Sequence, residues 1–315
     1  MIEPLLPADV QHLSLRPNSY FTRHSLTEHL MLHPNFAWRN TLHEYIIGGF
    51  WKGRDDIGEI MELGGPARIP LRVFHGTSGR REQSSWRERR GELMNGIADS
   101  YQAHGAHLVL LSEREGERAA PLYEEQGWRA VEQIIYYRKS DVVMPRGAGT
   151  LRVERLKQRD ISQLMDMERD AFPWMWCYSL DEWLNITLMP GVETFVAYAG
   201  DDVVGYETHT IRNERGHLDR LGIRRAAQGH GYGSELLAWS VHRLANLGAR
   251  TIGLSTQWNN IRSQQLYEKY GFARLPGTTT FYGKALTQEA EDRLRADDTR
   301  PPRTTAPGTP SRQER

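Results

Sequence analysis

Cysteine is nearly missing from this chain: Cys177 stands alone among 315 residues. An internal disulfide and a cysteine-based zinc site are thereby excluded. Excess charge is missing as well. Lys and Arg total 40 and Asp and Glu total 40, so no global field draws in nucleic acid or an anionic membrane. No apolar run approaches the ~18–20 residues that a membrane span needs. Met1 to Gln11 has neither the basic start nor the long apolar stretch of a secretory leader. These absences lead us to expect a cytoplasmic protein with neither nucleic-acid nor membrane partners. His29 and His33 have i, i+4 spacing, but no third ligand accompanies them, so no metal is expected.

What is present is a repeat. Residues 119–128 read Ala-Ala-Pro-Leu-Tyr-Glu-Glu-Gln-Gly-Trp, and residues 263–272 read Ser-Gln-Gln-Leu-Tyr-Glu-Lys-Tyr-Gly-Phe. Each copy follows an apolar run, His107 to Leu111 and Thr251 to Leu254. Each run follows a helical pattern that ends in Gly-Ala, at Gly105-Ala106 and Gly248-Ala249. Several matches in one order indicate duplication. The expected division is 1–140, a linker over 141–150, a second unit over 151–286, and a mostly disordered tail over 287–315.

The second unit is the easier to parse. Strands are predicted at Arg152–Leu156, Thr194–Ala199, Val203–Ile211, His217–Ile223, Arg250–Ser255 and Phe281–Ala285. Asp160 is placed to cap a helix through Met167, and Asn260 a later one that Gly271 stops. The order is mixed α/β (α+β). Between two of the strands lies Gln228-Gly229-His230-Gly231-Tyr232-Gly233-Ser234, a glycine-rich turn that opens a helix. The first amides of a helix lack internal partners and carry partial positive charge, so such a turn suits a phosphate group. Arg224 and Arg225 lie just upstream and are placed to meet further phosphates. The glycine spacing fits neither the dinucleotide fingerprint nor a P-loop.

Leu221-Gly222-Ile223, the glycine turn, and Asn260-x-x-Ser263-x-x-Leu266-Tyr267-x-x-x-Gly271-Phe272 together resemble the GNAT superfamily of N-acyltransferases, over roughly residues 151–286. The paired halves resemble tandem-GNAT proteins with a degenerate N-terminal copy. The resemblance implies acetyl-CoA as acyl donor and a small-molecule or peptide amine as acceptor. It implies that the pantetheine arm pairs with Leu221, Gly222 and Ile223, where two strands part. The pyrophosphate falls on Gln228, Gly229, His230, Gly231, Tyr232, Gly233 and Ser234, with Asn260 and Ser263 touching the arm. Tyr267 falls where the family keeps a tyrosine that protonates the leaving thiolate, a role open to a phenol.

On the base side, many relatives carry a glutamate where this chain has His217. Histidine has an unperturbed pKa of ~6.5, and Asp219 shares its strand face. Glu207 and His209 are further candidates. Ser255 stands where some protein-acetylating relatives hold glutamate. Without those carboxylates, a non-catalytic acyl-CoA sensor or scaffold of the same fold is the alternative. Trp174, Trp176, Tyr178 and Trp183 form either an aromatic wall for the acceptor or core packing. In the first half, Trp86 to Gly91 lies opposite the glycine turn and Gly116 opposite Asn260, so weak CoA binding is expected there. Tyr123 is left as packing, and Trp38, Trp51 and Trp86 are candidates for the face between the halves. The oligomer is expected to be a monomer or a homodimer.

Overall fold

The computed structural model describes residues 2–13, 23–32, 37–40, 45–52, 57–64, 91–92, 94–114, 120–143 and 147–296. In the first half these form β1 (Ile2–Pro4), α1 (Arg23–Leu32), β2 (Ala37–Asn40), β3 (Tyr45–Lys52), β4 (Ile57–Gly64), a helix α2 over 94–103, β5 (Leu108–Arg114), α3 (Ala120–Glu125) and β6 (Arg129–Lys139). The second half adds β7 (Arg152–Arg155), α4 (Ile161–Ala171), α5 (Leu180–Leu188), β8 (Val192–Ala199), β9 (Asp202–Arg212), β10 (Arg215–Ile223), α6 (Tyr232–Asn246), β11 (Thr251–Gln257), α7 (Ile261–Lys269), β12 (Ala273–Ala285) and α8 (Gln288–Ala296).

The strands join in one 12-stranded sheet, ordered β1-β2-β3-β4-β5-β12-β6-β11-β10-β9-β8-β7. The last strand of each half crosses into the other. β12 pairs antiparallel with β5, β6 pairs antiparallel with β11, and β6 and β12 pair with each other at the centre. The duplication is visible register by register. Ile57 to Ile60 pair in parallel with Leu108 to Leu111, just as Arg215 to Leu218 pair with Thr251 to Leu254. In each half the Leu-Tyr-Glu tyrosine packs on a tyrosine of the exchanged strand. The ring centroids of Tyr123 and Tyr282 are 4.6 Å apart, and those of Tyr137 and Tyr267 are 6.0 Å apart.

Alternation along the strands divides the core of the second half. Leu218, paired with His209, faces α6 and α7 and packs with Leu237, Val241, Leu254 and Tyr267. Tyr206 lies an odd number of residues from His209 and therefore faces the other way. It packs there with Leu164, Met167 and Trp183 under α4 and α5.

Several local expectations change. Asp160 does not cap α4. Its carboxylate accepts from the Lys157 amide at 3.0 Å and closes the preceding 3₁₀ turn, and the helix runs on to Ala171. β12 begins at Ala273 rather than Phe281. Its early part is hidden in sequence by Leu275-Pro276-Gly277, where the register with β6 shifts and Gly277 takes φ +84°. The start of the tail also moves. Residues 288–296 are helical because Ala290 is buried and Leu294, one turn on, packs in the same cluster with Trp174 and Trp176. Residues 297–315 lie outside the described residues, as do Trp86, His33 and Gly116 and the side chains of Trp38, Trp51 and His29.

The exchange makes each half incomplete alone. A polypeptide of residues 147–296 leaves β11 and β12 without β6 between them, exposing unpaired strand edges. It is expected to aggregate or lack cooperative unfolding in circular dichroism and gel filtration, and co-expression with residues 1–143 is expected to restore a soluble complex. A monomeric, cooperatively folded 147–296 would contradict the exchange.

Candidate active site

The site begins where two parallel strands part. β10 and β11 pair from Arg215–Thr251 to Leu218–Leu254. A register shift against β9 follows between Leu218 and Arg220. Beyond it, Leu221, Gly222 and Ile223 pair with Glu207, Tyr206 and Gly205 of β9 on one side only. Their other side borders a cavity of about 680 Å³. Gly222 is required by packing, since a β-carbon there would lie 2.8 Å from the Tyr206 ring.

The glycine turn forms one end of this cavity. α6 starts at Tyr232 with Gly231 as its N-cap, and the Glu235 amide donates to the Gly231 carbonyl at 3.1 Å. Gly229 and Gly231 take φ of +88° and +85°, yet a β-carbon on either would meet nothing within 4 Å. The demand at these two positions is conformational, worth about 1–2 kcal/mol for an L-residue, and the space in front of them is open. Gln228, Gly229, Gly231, Gly233 and Ser234 line the cavity. His230 and Tyr232 are not among its lining residues, and their rings stack on each other at 5.8 Å. The one acidic residue of the first turn is directed elsewhere. Glu235 accepts from the Thr150 hydroxyl at 2.6 Å and the Leu151 amide at 2.8 Å. Burial raises its pKa, but these hydrogen bonds outweigh burial and hold it below the usual value.

The cation at this end is not the one expected. Arg225 is tied to the end of α4, its amide to the Asp170 carboxylate and its Nε to the Asp170 carbonyl, both at 2.7 Å. Arg262, in the first turn of α7, lines the cavity instead and donates to Gln228 Oε1 at 2.7 Å. Its signal in sequence is its place two residues after Asn260. Asn260 does cap α7, accepting from the Ser263 amide at 3.2 Å, and both residues line the cavity. Tyr267 lies one turn beyond Ser263, is 8% exposed and, unlike its neighbours Ser263 and Leu266, is not among the cavity's lining residues. Burial pushes its hydroxyl up to about 12, with the Ser263 side chain opposing, so it stays protonated at neutral pH.

The segment Ala171–Trp176 forms the facing wall. Arg220 holds it in place. This buried guanidinium lies 3.9 Å from the centroids of both Phe172 and Tyr178. It pairs with Glu168 and donates to the Trp176 carbonyl at 2.6 Å. Burial pushes its pKa down to about 9, which leaves it charged at neutral pH. The four aromatic residues after α4 therefore divide. Trp174 and Trp176 line the cavity, whereas Trp183 is core packing beside Tyr206, and Tyr178 meets Trp183 edge-on with centroids 5.6 Å apart.

The proposed bases divide as well. His217 and Asp219 do form a pair, Nδ1 to Oδ1 at 2.8 Å, and the Thr210 hydroxyl donates to Asp219 at 2.6 Å. Both are partly exposed, and neither is among the cavity's lining residues. Glu207 and His209 are fully buried and bonded to each other at 3.0 Å. Burial raises the Glu207 pKa. Burial opposes charge on His209, but Glu207 and Glu193 outweigh it and raise its pKa. This pair serves the interior. Ser255 is exposed and carries no carboxylate.

The cavity does contain a carboxylate, on a strand from the other half. Glu132 of β6 lines it, is 5% exposed, and is pushed up to about 7 by burial. Nothing local in the sequence marks this residue, because only the strand exchange brings it to the second half. In the first half, register places Glu59 where the second has His217, and Tyr123 is fully buried, bonded to Glu113. Among the described residues there is no group of three or more His, Cys, Asp or Glu that could hold a metal, and no helix is long and apolar enough to cross a membrane.

Comparison with known proteins agrees with this geometry. Residues 161–272 match the model of the Acetyltransferase (GNAT) family. The chain is 26% identical over 131 residues to N-alpha-acetyltransferase 30 of Schizosaccharomyces pombe (strain 972 / ATCC 24843), a match covering 39% of this chain and 83% of that protein. It is 30% identical over 81 residues to the uncharacterized N-acetyltransferase YvbK of Bacillus subtilis (strain 168), covering 25% of this chain and 52% of that one. In fold, it resembles a GCN5-related N-acetyltransferase from Sphaerobacter thermophilus, with TM-score 0.59, 16% identity, and coverage of 90% of this chain and 95% of the other. A tandem GNAT protein from the clavulanic acid biosynthesis pathway gives TM-score 0.59 at 12% identity, with coverage of 90% and 98%. The parted strands and the glycine turn both lie within residues 161–272, the part of the chain that matches the GNAT family.

Proposed function

We propose that this chain transfers an acetyl group from acetyl-CoA to a primary amine, by direct attack within a ternary complex. The observation that carries the reading is the shared cavity, which joins the one-sided edge of β10 to the helix start at Gly231. A pantetheine arm is a chain of amides and needs backbone partners. Leu221 to Ile223 supply them, as a strand would. A pyrophosphate needs unpaired donors and positive charge. The first amides of α6 and Arg262 supply both.

In this reading the amine nitrogen attacks the thioester carbonyl, and the carbon–sulfur bond breaks as the tetrahedral intermediate collapses. Tyr267 gives its proton to the departing sulfur, a role suited to a phenol that remains protonated at neutral pH. His217 with Asp219 is the base if the acceptor lies along the partly exposed face of β10. The yeast relative's name places a peptide α-amine among the acceptors to test, while Ser255 in place of a glutamate counts against a protein substrate. Trp174 and Trp176 favour a cationic or apolar acceptor.

The second reading is an acyl-CoA-binding protein without turnover, favoured by the lack of a carboxylate at His217 and Ser255. An amine panel with thiol detection separates the two, since tight acetyl-CoA binding with no thiol release would select the second.

Two substitutions test the assignments. Tyr267→Phe is expected to lower kcat about 100-fold or more with little change in the acetyl-CoA Kd, and unchanged turnover would remove Tyr267 from the chemistry. Gly231→Val forces a β-branched residue to positive φ at the helix start. Calorimetry is expected to show acetyl-CoA affinity falling at least about tenfold, the equivalent of about 1.4 kcal/mol. Unaltered affinity would mean that the turn does not hold the donor.

A further inference from the structure

β6 belongs to the first half, yet it runs beside β11 of the second. Its N-terminal end overshoots. Ile134 pairs with Gln257, the last residue of β11, and Glu132 lies two residues further on, opposite Phe281 of β12. The Trp176 ring meets Phe281 edge-on, with centroids 4.9 Å apart, and its indole N–H favours the charged form of Glu132. Glu132 thus lines the same cavity as Leu221, Gly222 and Ile223. Among the described residues lining that cavity it is the only carboxylate, and Arg262 and Lys269 are the only other charged side chains.

We infer that Glu132, carried across from the first half by the exchanged strand, takes the proton from the acceptor amine in the second half's cavity. The inference rests on the acetyl-transfer reading above and gives the first half a chemical part in the reaction. The acceptor arrives as an ammonium, and the Glu132 carboxylate removes one proton. The neutral nitrogen then bonds to the thioester carbon, the carbon–sulfur bond breaks, and the sulfur takes a proton from Tyr267. The proton still on the nitrogen restores Tyr267, and Glu132 returns its own to solvent. The products are the amide, the free thiol and one released proton.

The charged groups on the elements packed around Glu132 are engaged elsewhere. Arg220 is held by Glu168 and the Trp176 carbonyl, Arg293 lies 4.9 Å from the Trp174 ring, Arg129 pairs with Glu291 at 2.8 Å, and Arg262 bonds to Gln228. Lys269 lies 5.5 Å from the Tyr270 ring. Burial is therefore left to dominate, pushing Glu132 from the ordinary 4.5 to about 7. A carboxylate so raised is a better proton acceptor near neutral pH than an exposed one. The same shift acts on folding. The folded state keeps its proton to higher pH than the unfolded state does. Wild-type stability, measured against Glu132→Gln, should therefore fall as pH rises from 4.5 to about 7 and be level above.

The experiment compares wild type, Glu132→Gln and Glu132→Asp in the full chain. It uses acetyl-CoA with spermidine, lysine and a short peptide bearing a free α-amine, alongside calorimetry with acetyl-CoA alone. For whichever amine turns over fastest, wild-type kcat/KM should rise through pH about 7. Glu132→Gln should lower kcat about 100-fold or more and lose that limb, while binding acetyl-CoA within about threefold of wild type, a difference well under one tenfold step. Glu132→Asp should restore part of the rate. If Glu132→Gln turns over normally, or keeps the limb near neutral pH, Glu132 is not the proton acceptor and the acetyl-transfer reading stands without it. If Glu132→Gln binds acetyl-CoA normally but melts far below wild type, and Glu132→Asp is fully active with the limb unmoved, the residue is structural and the inference fails. If the wild type gives no heat with acetyl-CoA, the parent reading fails and takes this inference with it.

Discussion

The antiparallel pairing of β6 with β12 is the contact on which the rest of the molecule depends. Each strand closes the sheet of the half it does not belong to, so the two cores cannot separate without breaking two strand pairings each. This is the arrangement of an exchanged dimer, contained within one chain. A tether between the halves makes the exchange intramolecular, and its effective concentration then exceeds what free subunits reach. One consequence is positional. The parted strands need β11 held firmly on its far side, and β6 does this along six register pairs, from Ile252–Lys139 to Gln257–Ile134.

Against that rigid frame, the site is made of groups left incomplete. β10 loses its parallel partner after Leu218, and α6 begins with amides that nothing in the helix can satisfy. Backbone groups left unpaired in this way are costly unless water or a ligand meets them. Positive φ at Gly229 and Gly231, with open space in front, keeps those amides accessible. The Arg220–Glu168 pair then fixes the wall opposite by gripping the Trp176 carbonyl. A buried ion pair of this kind adds little net stability against an apolar replacement, and its role here is to fix geometry.

The second half was largely legible in sequence because its signals are local. Short apolar runs marked β8, β9 and β10, Asn260 marked the start of α7, and Gly248 and Gly271 marked the ends of α6 and α7. The glycine turn is the same kind of short-range pattern, whereas the parting at Leu221 to Ile223 was implied only by the resemblance to the GNAT superfamily. What escaped was non-local. Glu132 sits in a strand of the first half, and no spacing rule connects it to Leu221. The start of β12 was masked by Pro276-Gly277, which reads as a turn but is a register shift within a strand. Arg225 lies beside the glycine turn in sequence, but Asp170 holds it, and Arg262 of α7 lines the cavity instead. The aromatic residues from Trp174 to Trp183 could not be divided by pattern, because wall and core share one composition.

Backbone amide exchange, with and without acetyl-CoA, tests the central claim most directly. If the parted strands and the glycine turn hold the donor, added acetyl-CoA will slow exchange at Leu221 to Ile223 and at Gln228 to Ser234, together and at one concentration midpoint. Protection confined to the first half, or none at either segment while thiol release continues, would contradict this account.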